Sequence, residues 1–533
     1  MTPEPQTRWH RGSADPSASD DAVRLACRNI REPVHVVKTS AGALAVVRGG
    51  TLDSELRNGA PTLEHVATLP PLWPERLGGP AFTTAHNVRF PYIVGEMANG
   101  IATAPMVIAA ARAGFLGFFG AAGLSHASIT KAIDTIEAGL RGTGLSWGAN
   151  LIHSPNEPDL ESGTAALFLD RRVTRVSASA YMGLTAPVVR YAFAGVRRRA
   201  DGTIFRPNAV IAKISRPEVA ARFLTPPPAD MLRSCVERGW LSAEEAALAA
   251  NLPVAEDITV EADSGGHTDN RPLVALFPLL RAQRDVAAAK TGRAIRIGAA
   301  GGLGTPDSVA AAFLLGADYV LTGSINQAAV ESGLSPEGRQ MLCAAGVADV
   351  IMAPAADMFE LGVTVQVLRR GTMFGVRAQQ LYDVYKAVSG LDQIPPDTLA
   401  RLEKELFRMP VAAVVAETER FWSRRDPREN EKAARDPKHR MALVFRWYLG
   451  LASRWAISGE AERRMDYQIW CGPAQGAFNA WAAGTFLEAP ENRTVAQMGR
   501  NLLEGAAVLT RAQQLRAAGV STPSFEFRPR PLG

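Results

Sequence analysis

The chain has 533 residues, 47% hydrophobic and 21% charged, an ordinary globular composition with room for a barrel of about 250 residues plus additions. Its formal charge of +5 is spread along the chain, so no dense basic tract marks a nucleic-acid binder, while an acidic partner is allowed without being required. Cys27, Cys235, Cys343 and Cys471 lie far apart with no CxxC pair, which supports neither a zinc site nor a disulfide scaffold and fits a reducing cytoplasm.

Residues 1–32 read as a disordered start. Met1 to Asp20 is rich in Pro, Ser, Asp and Thr and lacks the apolar run of a signal peptide. Residues 33–90 form a β-rich extension in which two apolar runs, 34–37 and 43–47, flank Lys38-Thr39-Ser40-Ala41-Gly42 as a hairpin. Met97 to Ala111 is strongly apolar, but Gly100 and Pro105 break it and it falls short of the roughly 20 residues a membrane span needs.

From Tyr92 the rhythm changes to short apolar runs alternating with helical segments. The runs 92–94, 115–119, 146–152, 173–179, 209–214, 257–262, 294–299 and 318–322 predict eight strands, with helices at 128–140, 217–224, 273–289 and 306–315 between them. This α/β alternation predicts a (β/α)8 TIM barrel over 91–330, with a helical insertion at 225–256 announced by Ser242-Ala243-Glu244-Glu245. Residues 331–520 read as a helical region covering the barrel mouth, followed by a tail at 521–533.

Two glycine clusters follow the last two strands: Gly298-Ala299-Ala300-Gly301-Gly302-Leu303-Gly304 and Leu321-Thr322-Gly323-Ser324. In such barrels these loops bind a phosphate through bare backbone N–H groups, and a β-carbon would hold the anion away. Thr305 as N-cap and Pro306 at the first helical position aim a helix N-terminus at the same place. A phosphate-bearing cofactor is expected.

Catalytic side chains should come from the C-terminal strand ends. Strand six runs into Glu261-Ala262-Asp263-Ser264-Gly265-Gly266-His267, placing His267 on a glycine-flexed loop where it can exchange a proton near neutral pH. Strand one ends in Met97-Ala98-Asn99-Gly100, whose backbone could lie against a flat ring. Asn150, ending strand three, could bond the edge of a heterocycle or cap a turn. Lys213 on strand five could compensate charge on a reduced ring or pair with Asp263 or Glu261.

These segments, together with Trp147-Gly148-Ala149-Asn150-Leu151, Asp263 to Asp269, Arg440 to Gly450 and Asp466 to Pro473, resemble those of the PfaD family over residues 33–520. The family comprises FMN-dependent enoyl reductases acting in trans with polyunsaturated fatty acid and trans-acyltransferase polyketide synthases. The resemblance implies FMN as cofactor, NADPH as hydride source, and an acyl carrier protein as partner, with no metal. It implies that Ala98, Asn99, Gly100 and Asn150 meet the flavin ring, that Gly301, Gly302, Gly323 and Ser324 hold its phosphate, and that His267 stands where substrate reacts. Glu96 departs from the pattern, since a small residue is expected there. The core motifs are shared with nitronate monooxygenase-like oxidases, which lack the long tail, and a flavin-free scaffold for a synthase stays open as a second class. Arg197 to Arg199 and the run Arg424 to Arg440 could receive an acidic carrier protein or simply be solvated. The oligomeric state is left open.

Overall fold

A computed structural model describes residues 7–53, 62–155 and 157–533. All eight expected strands form: Tyr92–Val94, Leu116–Phe119, Trp147–Ile152, Arg175–Ser179, Ala209–Ile214, Asp257–Glu261, Arg296–Ala300 and Tyr319–Thr322. They are parallel and buried along most of their length, as strands covered on both faces are. They close into one barrel when Val320 of the eighth pairs with Tyr92 of the first. The insertion after strand five forms helices Ala229–Glu237 and Ala243–Ala249, the second opened by a Ser242/Glu245 capping box.

Of the start expected to be disordered, residues 1–6 lie outside the described residues, while 7–32 contain a strand and a helix that dock on the rest of the chain, contrary to the expectation from composition. Arg8–His10 joins a five-stranded antiparallel sheet with the 34–38 and 44–47 hairpin, and Trp9 is buried there with its indole N–H donating to Gly49 O at 2.9 Å. Ser19 caps a helix, Asp20–Arg28, whose Val23, Ala26 and Cys27 are buried on one face. Its partner is the long helix Val495–Ala517. A tract that is polar in composition still carries enough correctly spaced apolar groups to dock.

That long helix also changes the domain boundary. It packs against the helices Pro306–Leu314 and Ala104–Arg112, which flank strands eight and one, and so completes the outer ring from the far end of the chain. Everything from about 323 to 494 is therefore inserted between the last strand and the last helix of the barrel.

The inserted region is not wholly helical. Val350–Pro354 and Thr364–Leu368 pair antiparallel, and Gly266–His267 adds a third strand, with His267 opposite Val365. Around this small sheet pack Phe374–Ala387, Val411–Arg425 and Pro437–Ser458, whose core holds Phe359, Phe374, Phe445 and Tyr448. Among the described residues no helix is long and apolar enough to cross a membrane.

The opposite, N-terminal end of the barrel is closed by helix Pro80–His86, whose Phe82 stacks on Tyr319. His86 Nε2 lies 3.0 Å from Asp257 Oδ2, and Arg296 grips the same buried carboxylate with bonds of 2.6 and 2.7 Å. Burial works against ionisation of Asp257, but His86 and Arg296 outweigh it and hold the carboxyl well below the usual carboxylate range. Paired charge at this face of a barrel serves stability rather than chemistry.

Candidate active site

A cavity of about 660 Å³ lies at the C-terminal end of the barrel, bounded below by strand ends and above by the inserted region. It is within the range of cofactor and small-molecule sites.

One side of the cavity is the glycine cradle. Gly301 has φ +87°, and a β-carbon there would sit 2.6 Å from the carbonyl carbon of Ala262, so only glycine lets strands six and seven approach this closely. Gly302 (φ +72°) and Gly323 are different: a β-carbon on either would meet nothing within 4 Å and would project into open space. Ser324 Oγ accepts from Gly472 N at 3.1 Å, which leaves its hydroxyl hydrogen free to donate. The helix at Pro306 contributes less than expected. Its capping box takes the Ser308 N–H at 3.3 Å and Pro306 has no N–H, so its share is mainly the dipole.

The floor is ionic. Lys213 Nζ reaches across the barrel to Glu96 Oε1 at 3.2 Å, on strand one's loop, and to Glu261 Oε1 at 3.0 Å, on strand six. Asp263 is not its partner. Burial favours loss of the ammonium proton, but Glu261 and Glu96 outweigh it and raise the lysine pKa. Ser177 Oγ of strand four donates to the same Glu96 oxygen at 2.9 Å. The other oxygen, Glu96 Oε2, is buried without a hydrogen-bond partner.

His267 lines the cavity from above, fixed by its strand pairing with Val365 instead of hanging from a flexible loop. Its Nε2 lies 3.2 Å from Asp357 Oδ1. Desolvation opposes the imidazolium, yet Asp357 and, more weakly, Glu261 hold its pKa above the ordinary value. Nearby, burial raises the pKa of Asp263.

The remaining expected residues are brought to the same cavity with altered duties. Asn99 adopts φ +58° and sends its amide to Ser453 Oγ of the inserted helix at 3.4 Å; Gly123 has no side chain because one would collide with Asn99 Oδ1. Ala98 lines the wall, whereas Gly100 lies behind it against Leu124. Asn150 Nδ2 is spent on Ser177 O (3.2 Å) and Ser179 Oγ (2.8 Å), leaving its carbonyl oxygen as the acceptor available to a ligand. From the inserted helices, Trp447 and Leu449 reach the cavity, while Phe445 and Tyr448 are core. Arg425 crosses to Glu157 after strand three with bonds of 2.5 and 3.0 Å, tying the cover to the barrel at the rim.

Of the two basic stretches, Arg197 and Arg199 fold over Phe205, in the segment that leads into the start of strand five, at the end of the barrel remote from the cavity. The 424–440 run lies on the cavity side, and much of its charge is already paired, Arg428 with Asp426 inside the run and Arg440 with Glu419 outside it. Cys471 packs beside the 264–265 turn, but burial pushes its thiol up to about 12, so it is no thiolate nucleophile.

Comparison with known proteins bears on what this cavity does. Residues 388–467 match the family model for the inserted helical domain of [acyl-carrier-protein] S-malonyltransferase. The chain is 45% identical over 450 residues to one of the polyunsaturated fatty acid synthase subunits of Thraustochytrium, covering 83% of this chain and 30% of that protein. It is 42% identical over 437 residues to polyketide biosynthesis protein PksE of Bacillus subtilis, covering 82% of this chain and 56% of that one. The crystal structure of the enoyl reductase domain of MlnA, from the macrolactin cluster of Bacillus amyloliquefaciens, superposes with a TM-score of 0.79 at 37% identity, covering 83% of this chain and 99% of that domain. The chain belongs to the PfaD family. It spans between 22% and 56% of the length of the curated relatives it matches. The match to a malonyltransferase insertion falls on helices that wall the cavity.

Sequence reasoning missed Asp357, Ser177 and the Glu96–Lys213 pairing. Asp357 has no local signal, since it reaches His267 only through the small sheet. Glu96 did carry one: a carboxylate where bulk and charge were unexpected.

Proposed function

We propose that this chain is a trans-acting, FMN-dependent enoyl reductase that uses NADPH to saturate the α,β-double bond of enoyl thioesters on an acyl carrier protein, in polyketide or polyunsaturated fatty acid synthesis. The observation that carries the reading is that the open-faced glycines Gly302 and Gly323, the Ser324 hydroxyl and His267 share one cavity. The names of the relatives and of the superposable domain support the same class of reaction.

The residues present fit FMN. Gly301, Gly302, Gly323 and Ser324 offer room and donors for its phosphate, and Ala98, the Asn99 backbone and Asn150 offer a flat wall and an acceptor for its ring. When bound, FMN would supply the hydride chemistry that links NADPH to the β-carbon of the thioester. His267, whose imidazolium is favoured by Asp357 beside Nε2, would deliver a proton to the α-carbon side, so that one hydride and one proton saturate the bond. Trp447, Leu449 and Phe421 give the acyl chain an apolar wall.

The visible spectrum of the purified protein tests this. A flavin spectrum bleached by NADPH and restored by crotonyl or longer enoyl carrier thioesters is the expected result. Bleaching by nitronate with no response to NADPH would point to an oxidase instead, and failure to take up FMN on reconstitution would leave the scaffold reading.

A further inference from the structure

Among the charged side chains lining the cavity, the cluster on its floor does not balance. Lys213 contributes one positive charge, while Glu96 and Glu261 contribute two carboxylates, both within 3.2 Å of its Nζ. The side chains of Glu96 and Lys213 are 4% and 12% exposed, so water screens them little. Lys213 closes strand five and Glu96 follows strand one, on opposite sides of the barrel, so their bridge runs beneath the cavity. Ser177 and Lys213 occupy Glu96 Oε1, and Oε2 is left without a donor at the cavity floor. A lysine expected to compensate a reduced ring is thus already neutralised, with one carboxylate to spare.

We propose that Glu96 is a redox-tuning residue: with Lys213 and Glu261 it gives the floor a net negative charge that disfavours the reduced, electron-rich form of the bound ring and makes it a stronger hydride donor. The inference rests on the FMN reading above. Hydride transfer from NADPH adds two electrons and one proton to the ring and leaves NADP⁺. The ring therefore gains one negative charge unless a second proton follows. A neighbouring spare carboxylate opposes that charge in a poorly screened site.

The test compares affinities of the apoprotein for oxidised FMN and for dithionite-reduced FMN, in wild type, Glu96→Gln and Glu96→Asp. Glu96→Gln should shift the affinity ratio toward reduced FMN by about tenfold, equivalent to a rise of roughly 30 mV in the two-electron potential. Glu96→Asp keeps the charge and should leave the ratio close to wild type. Should Glu96→Gln not fold, Glu261→Gln removes the same unit of charge from the other side of Lys213 and should shift the ratio in the same direction. An unchanged ratio in the Gln variants, or an Asp variant that moves as far as Gln, overturns the proposal while leaving FMN binding intact. Absence of FMN binding in the wild type would remove the cofactor reading and this inference with it.

Discussion

Gly323→Ala separates the needs of the fold from the needs of a ligand. At Gly323 φ is −126°, and an added β-carbon meets no atom within 4 Å, so the folded protein has space for the methyl group. Stability of the apoprotein should change by less than about 1 kcal/mol, with the smaller entropy of the unfolded alanine chain on the favourable side. If the same space holds a phosphate, the methyl group displaces it from at least one charge-assisted N–H contact. Such a contact is worth about 1.5–3 kcal/mol, which weakens FMN binding roughly ten- to hundredfold. Gly301→Ala is the counterpart. Its φ of +87° and the 2.6 Å approach to Ala262 combine a left-handed penalty of about 1–2 kcal/mol with overpacking of about 1–3 kcal/mol, so the fold itself should weaken. Urea unfolding of the apoproteins and FMN fluorescence quenching read the two effects independently. A Gly323→Ala protein that binds FMN as tightly as wild type would refute the assignment of the cradle.

Further outcomes follow from the same geometry. His267→Ala should keep FMN bound and slow reoxidation by enoyl thioester by about 10²–10⁴ in single-turnover stopped flow; an unchanged rate removes it from the chemistry. Asp357→Asn takes away the carboxylate that raises the His267 pKa, so the alkaline limb of the pH–rate profile should move to lower pH. Asp257→Asn breaks the buried contact with Arg296 and His86 and should cost about 3–5 kcal/mol in unfolding experiments. Because the folded pKa of Asp257 is depressed, its stabilisation is complete above the unfolded value of about 4 and is lost as pH falls toward the folded one, so wild type should show an acid-unfolding phase that Asp257→Asn lacks.

The match to a malonyltransferase helical insertion has a structural rationale that needs no transferase chemistry. Helices 411–425 and 437–458 line the cavity and pack on each other, and the second also packs on helix 374–387, which covers the small sheet. Similar helical modules can sit on unrelated catalytic cores, so the match carries no activity with it.

By itself the sequence determined the barrel, its strand order and the glycine turns after its last two strands, because each is written in contiguous residues: an apolar run, a capped helix, a glycine where a β-carbon would block the backbone. The hairpin at 34–47 and the Ser242 capping box were legible for the same reason. Only tertiary structure decided that Lys213 spends its charge on Glu96 and Glu261, that Asp357 holds His267, and that the helix at 495–517 closes a barrel whose last strand ended near residue 322. Those contacts join distant parts of the chain, and their partners are set by how the strands close and the insertion folds back, so no local periodicity records them. The short strands 350–354 and 364–368 lie between the two cases: their Val and Ile pattern was present and they pair with each other, but only the tertiary fold adds Gly266–His267 to their edge and fixes the histidine over the cavity.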